Sequence, residues 1–166
     1  MTFSASVKEE LEGIISPARH CQIAELAAMF AFGGEIKYGA EKRLSLHFLA
    51  ENESVARKYF TLLEKTFRIS KVFSIEDVLY RKNNKYVVDI PSEDEAVRIL
   101  QDMKYLSQDR MPITFNGLVN PLIIQKNCCK RAFLRGAFLC AGSISDPEKF
   151  YHFEIVCTSS IKAEQL

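Results

Sequence analysis

The 166-residue sequence has no tryptophan, no excess of either charge, and no apolar run near the roughly 20 residues a membrane-spanning helix requires. Its 22 Lys and Arg nearly cancel its 21 Asp and Glu, so net charge announces no nucleic-acid partner. Any such surface must come from where the charges sit. The opening MTFSASVKEELEG lacks a basic patch followed by an apolar stretch and is not expected to act as a secretory signal. The five cysteines are odd in number, and Cys128 and Cys129 are adjacent. That pattern argues against a disulfide framework and for a reducing cytoplasm. No Gly-rich phosphate loop and no nucleophile-His-acid pattern is visible. What is present suffices for a core: 48% of residues are hydrophobic and 26% charged, the balance of one folded domain or two small ones.

The spacing predicts a short amphipathic helix at the start, capped by Ser4 or Ser6, with Val7, Leu11 and Ile14 or Ile15 as its apolar stripe. Ser16-Pro17 predicts the start of a second helix, with Ser16 as N-cap and Pro17 in the first turn. That helix should close at Gly33-Gly34 through a left-handed glycine. Strands over Glu35–Tyr38 and Arg43–Leu49 follow, the second alternating Leu44, Leu46 and Phe48 against Arg43, Ser45 and His47. Asn52 caps a helix carrying Val55, Tyr59, Phe60, Leu62, Leu63 and Phe67. Strands at Val72–Arg81 and Tyr86–Ile90 are joined by an Asn83-Asn84 turn, and Ser92 with Glu95 forms a capping box for a helix to about Leu106. Residues 107–127, with Pro112, Asn116-Gly117 and Asn120-Pro121, read as a connector that Phe115 and its neighbours can pack. A helix over Cys128–Ala141 capped by Asn127, a strand near Tyr151–Cys157 and a helix capped by Thr158 or Ser159 complete the order.

Self-similarity carries more information than any one motif. Shifted by 108 positions, Ala24–Ile36 lies on Ala132–Ile144, with Ala24/Ala132, Leu26/Leu134, Phe30/Phe138, Gly34/Gly142 and Ile36/Ile144 identical. Cys21 and Cys129 match just upstream, and Ala28 faces Gly136, small for small. Ala24, Ala27, Ala28 and Ala31 share one helix face, as do Ala132, Gly136 and Cys140. Two such faces permit close approach of backbones, with Gly34 and Gly142 ending the helices. An ordinary buried, alanine-rich helix is the duller reading, but it leaves the repeat and its terminal glycine to coincidence.

A small-residue helix ending in Gly, followed by β-β-α-β-β-α and begun again, resembles the LAGLIDADG homing-endonuclease fold. More closely, MTFSASVKEEL, HCQIAELAAMFAFGGEI and CCKRAFLRGAFLCAGSISDPEKFYHFEIVC resemble the bacterial WhiA family. The resemblance implies an α+β fold: antiparallel sheets with helices on one face and a pseudo-two-fold repeat whose second copy is incomplete. It also implies a part of a sporulation and cell-division transcription regulator, with DNA read mainly by a C-terminal helix-turn-helix beyond residue 166. The nuclease fold places a metal-holding carboxylate just before the final Gly of each repeated helix. Here those positions are Gly33 and Ala141, so no catalytic residue and no enzyme activity is expected.

Two further chemistries are conceivable from the sequence. His20-Cys21 and Cys128-Cys129 occupy equivalent repeat positions and could be imagined as a zinc site. Structural zinc ligands are usually spaced by two to four residues, whereas vicinal side chains on a helix diverge by about 100°. Buried thiols acting as small hydrophobes are therefore the expectation, with no metal and no cofactor. Candidate DNA contacts are Arg43 and His47 on the solvent side of a sheet, Arg81, Lys82 and Lys85 at a hairpin tip, and Lys126, Lys130, Arg131 and Arg135 at the start of the second repeated helix. Cations at that helix start oppose its dipole and call for a compensating acceptor. The duller reading is solvated charge balanced by Glu41, Glu76, Asp77 and Asp89.

The expected organisation is an N-terminal helix over 1–15, a first repeat over 16–106, a connector over 107–126 and the truncated start of a second repeat over 127–166. A half-covered second sheet would expose apolar surface, leaving completion to further residues or to self-association with another copy. A protein- or ligand-binding regulatory module without DNA contact is the alternative function, and a working homing-type nuclease the reading the residues oppose. The expected location is the cytoplasm, at the nucleoid, with no membrane partner.

Overall fold

The computed structural model describes residues 1–69, 74–113 and 117–166. The first half runs α1 (Phe3–Glu12), α2 (Arg19–Gly33), β1 (Gly34–Tyr38), β2 (Leu44–Ala50) and α3 (Glu53–Phe67). It continues with α4 (Ile75–Val78), β3 (Leu79–Lys82), β4 (Lys85–Ile90) and α5 (Glu93–Asp102). After a connector containing a 3-10 turn at Pro121–Ile124 come α6 (Asn127–Ala141), β5 (Gly142–Ile144), β6 (Phe153–Ile155) and α7 (Ser160–Gln165). The strands form an antiparallel sheet in the order β1-β2-β4-β3 and a separate β5-β6 hairpin. This is the α+β arrangement of antiparallel strands and packed helices that the resemblance implies. Among the described residues, no helix is long and apolar enough to cross a membrane.

Alternation along β2 and β4 sends Leu46, Phe48, Ala50, Val88 and Ile90 to one face, where they meet buried residues of α2, α3 and α5. Phe48 stacks on Tyr59 of α3 with ring centroids 4.0 Å apart. The register pairs His47 with Asp89 and Glu35, which puts all three on the opposite face. Asn83 and Asn84 both take positive φ, as the tight hairpin between β3 and β4 demands.

The centre of the molecule is the α2-α6 pair. Ala24, Ala27 and Ala28 are fully buried, and Ala132 nearly so, while Ala31 is half-buried. Gly136 sits where a Cβ would stand 2.6 Å from the Glu25 carbonyl oxygen and 3.0 Å from the Ala28 Cβ. Cys140 Sγ donates to the Met29 carbonyl at 3.6 Å. Small side chains here let the two backbones approach until a methyl group is too much.

Several local expectations need correction. Both helix-ending glycines are extended, Gly34 at φ −93° and Gly142 at φ −91°, and neither is left-handed. Their smallness is steric: a Cβ at either would lie 2.1 Å from the ring of the phenylalanine four residues back, Phe30 or Phe138. The N-cap of α1 is Thr2, whose hydroxyl accepts from the Ala5 N–H at 3.1 Å, while Ser4 Oγ accepts instead from Ile144 N–H. α2 begins at Arg19 because the Ser16 hydroxyl accepts from Ala18 N–H and its carbonyl from the Gln22 side chain, holding residues 16–18 outside the helix. Where a long strand was expected, Ser74 and Asp77 form a capping box that starts α4, so β3 opens only at Leu79. Its expected first residue, Val72, and the connector residues Phe115 and Asn116 lie outside the described residues. α5 ends at Asp102, and β6 is shorter than its expected span.

The Gly136 contact yields a test. Gly136→Ala should destabilise the fold by about 2 kcal/mol in urea unfolding, despite alanine's better helix propensity, because the new methyl meets backbone that cannot turn aside. A stabilised variant would show that the helices are free to separate.

Candidate functional site

The axis between α2 and α6 carries three chemically distinct levels. In the middle, Glu25 of α2 and Lys58 of α3 are both fully buried. The Glu25 carboxylate accepts from Arg135 Nε at 3.0 Å and Nη2 at 2.8 Å, a bidentate pair across the helix interface. Lys58 Nζ lies 3.3 Å from the same carboxylate and donates to the carbonyls of Leu11, at 2.8 Å, and Ile14. All three ammonium protons therefore have acceptors, and the end of α1 is tied to the core. Burial lowers the Lys58 pKa, and Glu25 pulls it back up. Arg135, a candidate DNA contact, is thus engaged inside the fold.

Sequence reading missed Glu25 and Lys58, although a signal existed. Glu25 lies four residues after Cys21 and three before Ala28, on the small-residue face, and Lys58 lies three after Val55 and four before Leu62. A charge on the buried stripe of each of two helices is the mark of a buried pair.

At the N-terminal end of the axis, both helices open on thiol chemistry. His20 and Cys21 are the second and third residues of α2, and Cys128 and Cys129 the second and third of α6. His20 Nδ1 lies 3.1 Å from Cys129 Sγ, 3.4 Å from Cys21 Sγ and 4.0 Å from Cys128 Sγ. All four possible ligand atoms fall within 4.8 Å of one another. Cys21 and Cys129 are buried; His20 and Cys128 are exposed. A hydrogen bond from Cys21 holds the Cys128 thiol below its ordinary pKa, while burial pushes Cys129 up to about 11. The divergence of vicinal side chains weighs less than expected, because each helix contributes a pair from its first turn and the pairs face each other.

At the C-terminal end, Gly33 and Ala141 precede the first strands of the two repeats. A Cβ on Gly33 would stand 2.8 Å from the Phe48 ring and 2.9 Å from the Leu49 carbonyl oxygen. Glu35 is exposed on β1, and Asp146 Oδ1 accepts from Glu148 N–H in a turn.

The remaining basic candidates fall into separate groups. Arg43 is exposed before β2 and pairs with Glu41 at 3.3 Å. His47 is buried against Asp89, which also accepts from Tyr80 Oη at 2.6 Å and raises that phenol to about 12. Arg81 lies over the Tyr86 ring on the helical side of the sheet, whereas Lys82 and Lys85 share the open face with Lys37. Lys126, Lys130 and Arg131 are exposed at the start of α6, a 15-residue helix and hence about 22 Å from where its strand begins. No single surface gathers them all.

The C-terminal hairpin is apolar and open, with Phe150, Tyr151, Phe153 and Val156 each more than half exposed. α7 is held nearby, capped by Ser159, with Lys162 Nζ donating to the Ala31 carbonyl at 2.8 Å and Gln165 bonding both backbone groups of Val119.

A family model described as the WhiA N-terminal LAGLIDADG-like domain matches residues 19–106, and one described as the WhiA LAGLIDADG-like domain matches residues 130–166. A probable cell division protein WhiA of Lachnoclostridium phytofermentans is 41% identical over 166 residues, all of this chain and 53% of the relative. Its counterpart in Desulforamulus reducens is 38% identical over 167 residues, covering all of this chain and 51% of the relative. The chain thus spans about half the length of the curated relatives it matches. Among solved structures, full-length WhiA from Thermatoga maritima superposes with a TM-score of 0.61 at 24% identity, over 93% of this chain and 44% of that one. The structure of a WhiA N-terminal LAGLIDADG domain gives 0.62 at 21% identity, over 96% and 68%. Both likenesses concern the fold.

The buried charges generate a test. Glu25→Ala should cost about 3–5 kcal/mol in chemical unfolding, since it leaves Lys58 and Arg135 as facing, unneutralised cations. Lys58→Met should cost clearly less, because the bidentate Glu25–Arg135 pair survives; equal losses would mean that the three do not act as one centre.

Proposed function

The chain belongs to the WhiA family, and from that premise we propose that it is the non-catalytic LAGLIDADG-like part of a DNA-binding transcription regulator controlling sporulation and cell division. The observation that carries the non-catalytic reading is the end of the helix pair. Metal-assisted phosphodiester hydrolysis in this fold needs a carboxylate just before the final glycine of each helix, and positions 33 and 141 hold Gly and Ala. Gly33 is also so close to Phe48 and Leu49 that a side chain would have to displace them. On this reading the paired helices serve as a scaffold.

The open face of the first sheet mixes Lys37, Lys82 and Lys85 with Glu35 and Asp89. Such a face supports weak, salt-sensitive contact with phosphates and little discrimination among sequences. Base reading then belongs to a helix-turn-helix in the portion of the relatives' length outside this chain, and the protein works in the cytoplasm at the nucleoid. The exposed aromatic hairpin around Tyr151 favours a second reading for this portion, the binding of a protein partner or of another copy.

Two measurements check the proposal. In plasmid nicking with Mg²⁺ or Mn²⁺, no cleavage is expected; cleavage abolished by Glu35→Ala would overturn the non-catalytic reading. In gel shifts at low salt, the longer protein should select its operator, while residues 1–166 bind without sequence preference and lose affinity several-fold with Lys82→Glu plus Lys85→Glu. Absence of DNA affinity in both proteins would leave the partner-binding reading in its place.

A further inference from the structure

We propose that the paired N-termini of α2 and α6 hold one zinc ion, ligated by Sγ of Cys21, Cys128 and Cys129 and by Nδ1 of His20. The four atoms come from two helices, two from each, and lie within 4.8 Å of one another. With Zn–S near 2.3 Å and Zn–N near 2.0 Å, a tetrahedral site has edges of about 3.8 Å between sulfurs and about 3.5 Å between sulfur and nitrogen. The observed separations from His20 Nδ1, 3.1, 3.4 and 4.0 Å, bracket that edge. A ligand set of three thiols and an imidazole is soft and tetrahedral, which selects zinc over magnesium or calcium.

Three features beyond proximity fit a metal. The 108-residue offset of the repeat carries His20 onto Cys128 and Cys21 onto Cys129, so the ion would sit on the pseudo-two-fold axis with equivalent ligands from each half. All five cysteines are free, so no disulfide competes for these sulfurs. The electrostatics close as well: zinc with three thiolates carries one net negative charge, and it would lie where two helix dipoles present their positive ends. Arg19, Lys126 and Lys130 are the cations at these helix starts, the sign of charge that an anionic site favours nearby; Arg19 also pairs with Asp102 at 2.6 Å.

With four protein ligands the site has no open position for water or substrate, so its role is structural: it staples the first repeat to the second at the end opposite Gly33 and Ala141. Binding converts three thiols to zinc thiolates and releases their protons to solvent, so apparent affinity must fall as pH falls.

The experiment uses the 166-residue protein purified under reducing, anaerobic conditions. Elemental analysis should find about one zinc per chain. Cobalt substitution should give the intense visible bands of tetrahedral Co²⁺ and a thiolate-to-cobalt charge-transfer band in the near ultraviolet. Cys128→Ser removes an exposed thiol and should weaken zinc binding by about 100-fold or more while leaving the circular dichroism spectrum intact. Should that variant fail to fold, His20→Gln should show the same loss of affinity. Cys157→Ser, outside the cluster, should change neither affinity nor spectrum, and a chelator should lower the Tm of the wild type but not of Cys128→Ser. A reduced, folded wild-type protein that takes up no zinc and gives only the weak spectrum of octahedral Co²⁺ would overturn the proposal. So would unchanged zinc affinity in Cys128→Ser, or purification with iron and sulfide in place of zinc.

Discussion

The close approach of α2 and α6 is the constraint on which the rest of this structure depends. Gly136 lies against the backbone of Glu25, and the flanking positions Ala24, Ala27, Ala28 and Ala132 have shed every large side chain. Dispersion between close-packed backbones holds such an interface only while both faces stay small. The same two helices lead without a loop into β1 and β5, so their separation also sets where the two sheets begin. Packing at the axis is thereby converted into the placement of surfaces at the periphery.

An interface this tight leaves little room for water, which is why the polar groups within it are so fully paired. Glu25 receives two bonds from Arg135, and Lys58 spends its remaining donors on the carbonyls that end α1. A buried ionic centre of this kind contributes less to net stability than to defining one arrangement, because every alternative register strands a charge. It ties four helices, α1, α2, α3 and α6, to one point. The thiol and imidazole cluster lies further along the same axis, toward the helix starts. Occupied as proposed, it adds a second fixed point at the helix starts.

At the C-terminal end of the axis, positions 33 and 141 hold Gly and Ala, and neither offers a carboxylate. At Gly33 the missing carboxylate is accompanied by tight packing from Phe48 and Leu49, so the loss is built into the core. The basic side chains are dispersed over the hairpin tip, the strand edge and the far end of α6. Charge dispersed in this way forms no single continuous basic surface among the described residues.

The repeat and most of the elements were legible in the sequence, because each rests on local pattern: period-two alternation in β2, helical spacing in α3, and a 108-residue self-match. The roles of the terminal glycines were legible as positions but not as causes, since a clash with Phe30 or Phe138 depends on the extended backbone that follows the helix. Arg135 and His47 read as surface charges, and both turn out to be engaged by carboxylates on other elements. The repeat put His20-Cys21 and Cys128-Cys129 at equivalent positions, yet the divergence of vicinal side chains on one helix made buried thiols the expectation; the distances across the two helices are not written in the sequence. Sequence by itself determined the type of most segments and that two of the helices are copies. Only tertiary structure decided which side chains meet across the axis, because pairing energy between charges or ligands falls off within a few ångströms and the pseudo-two-fold packing alone brings those atoms within reach.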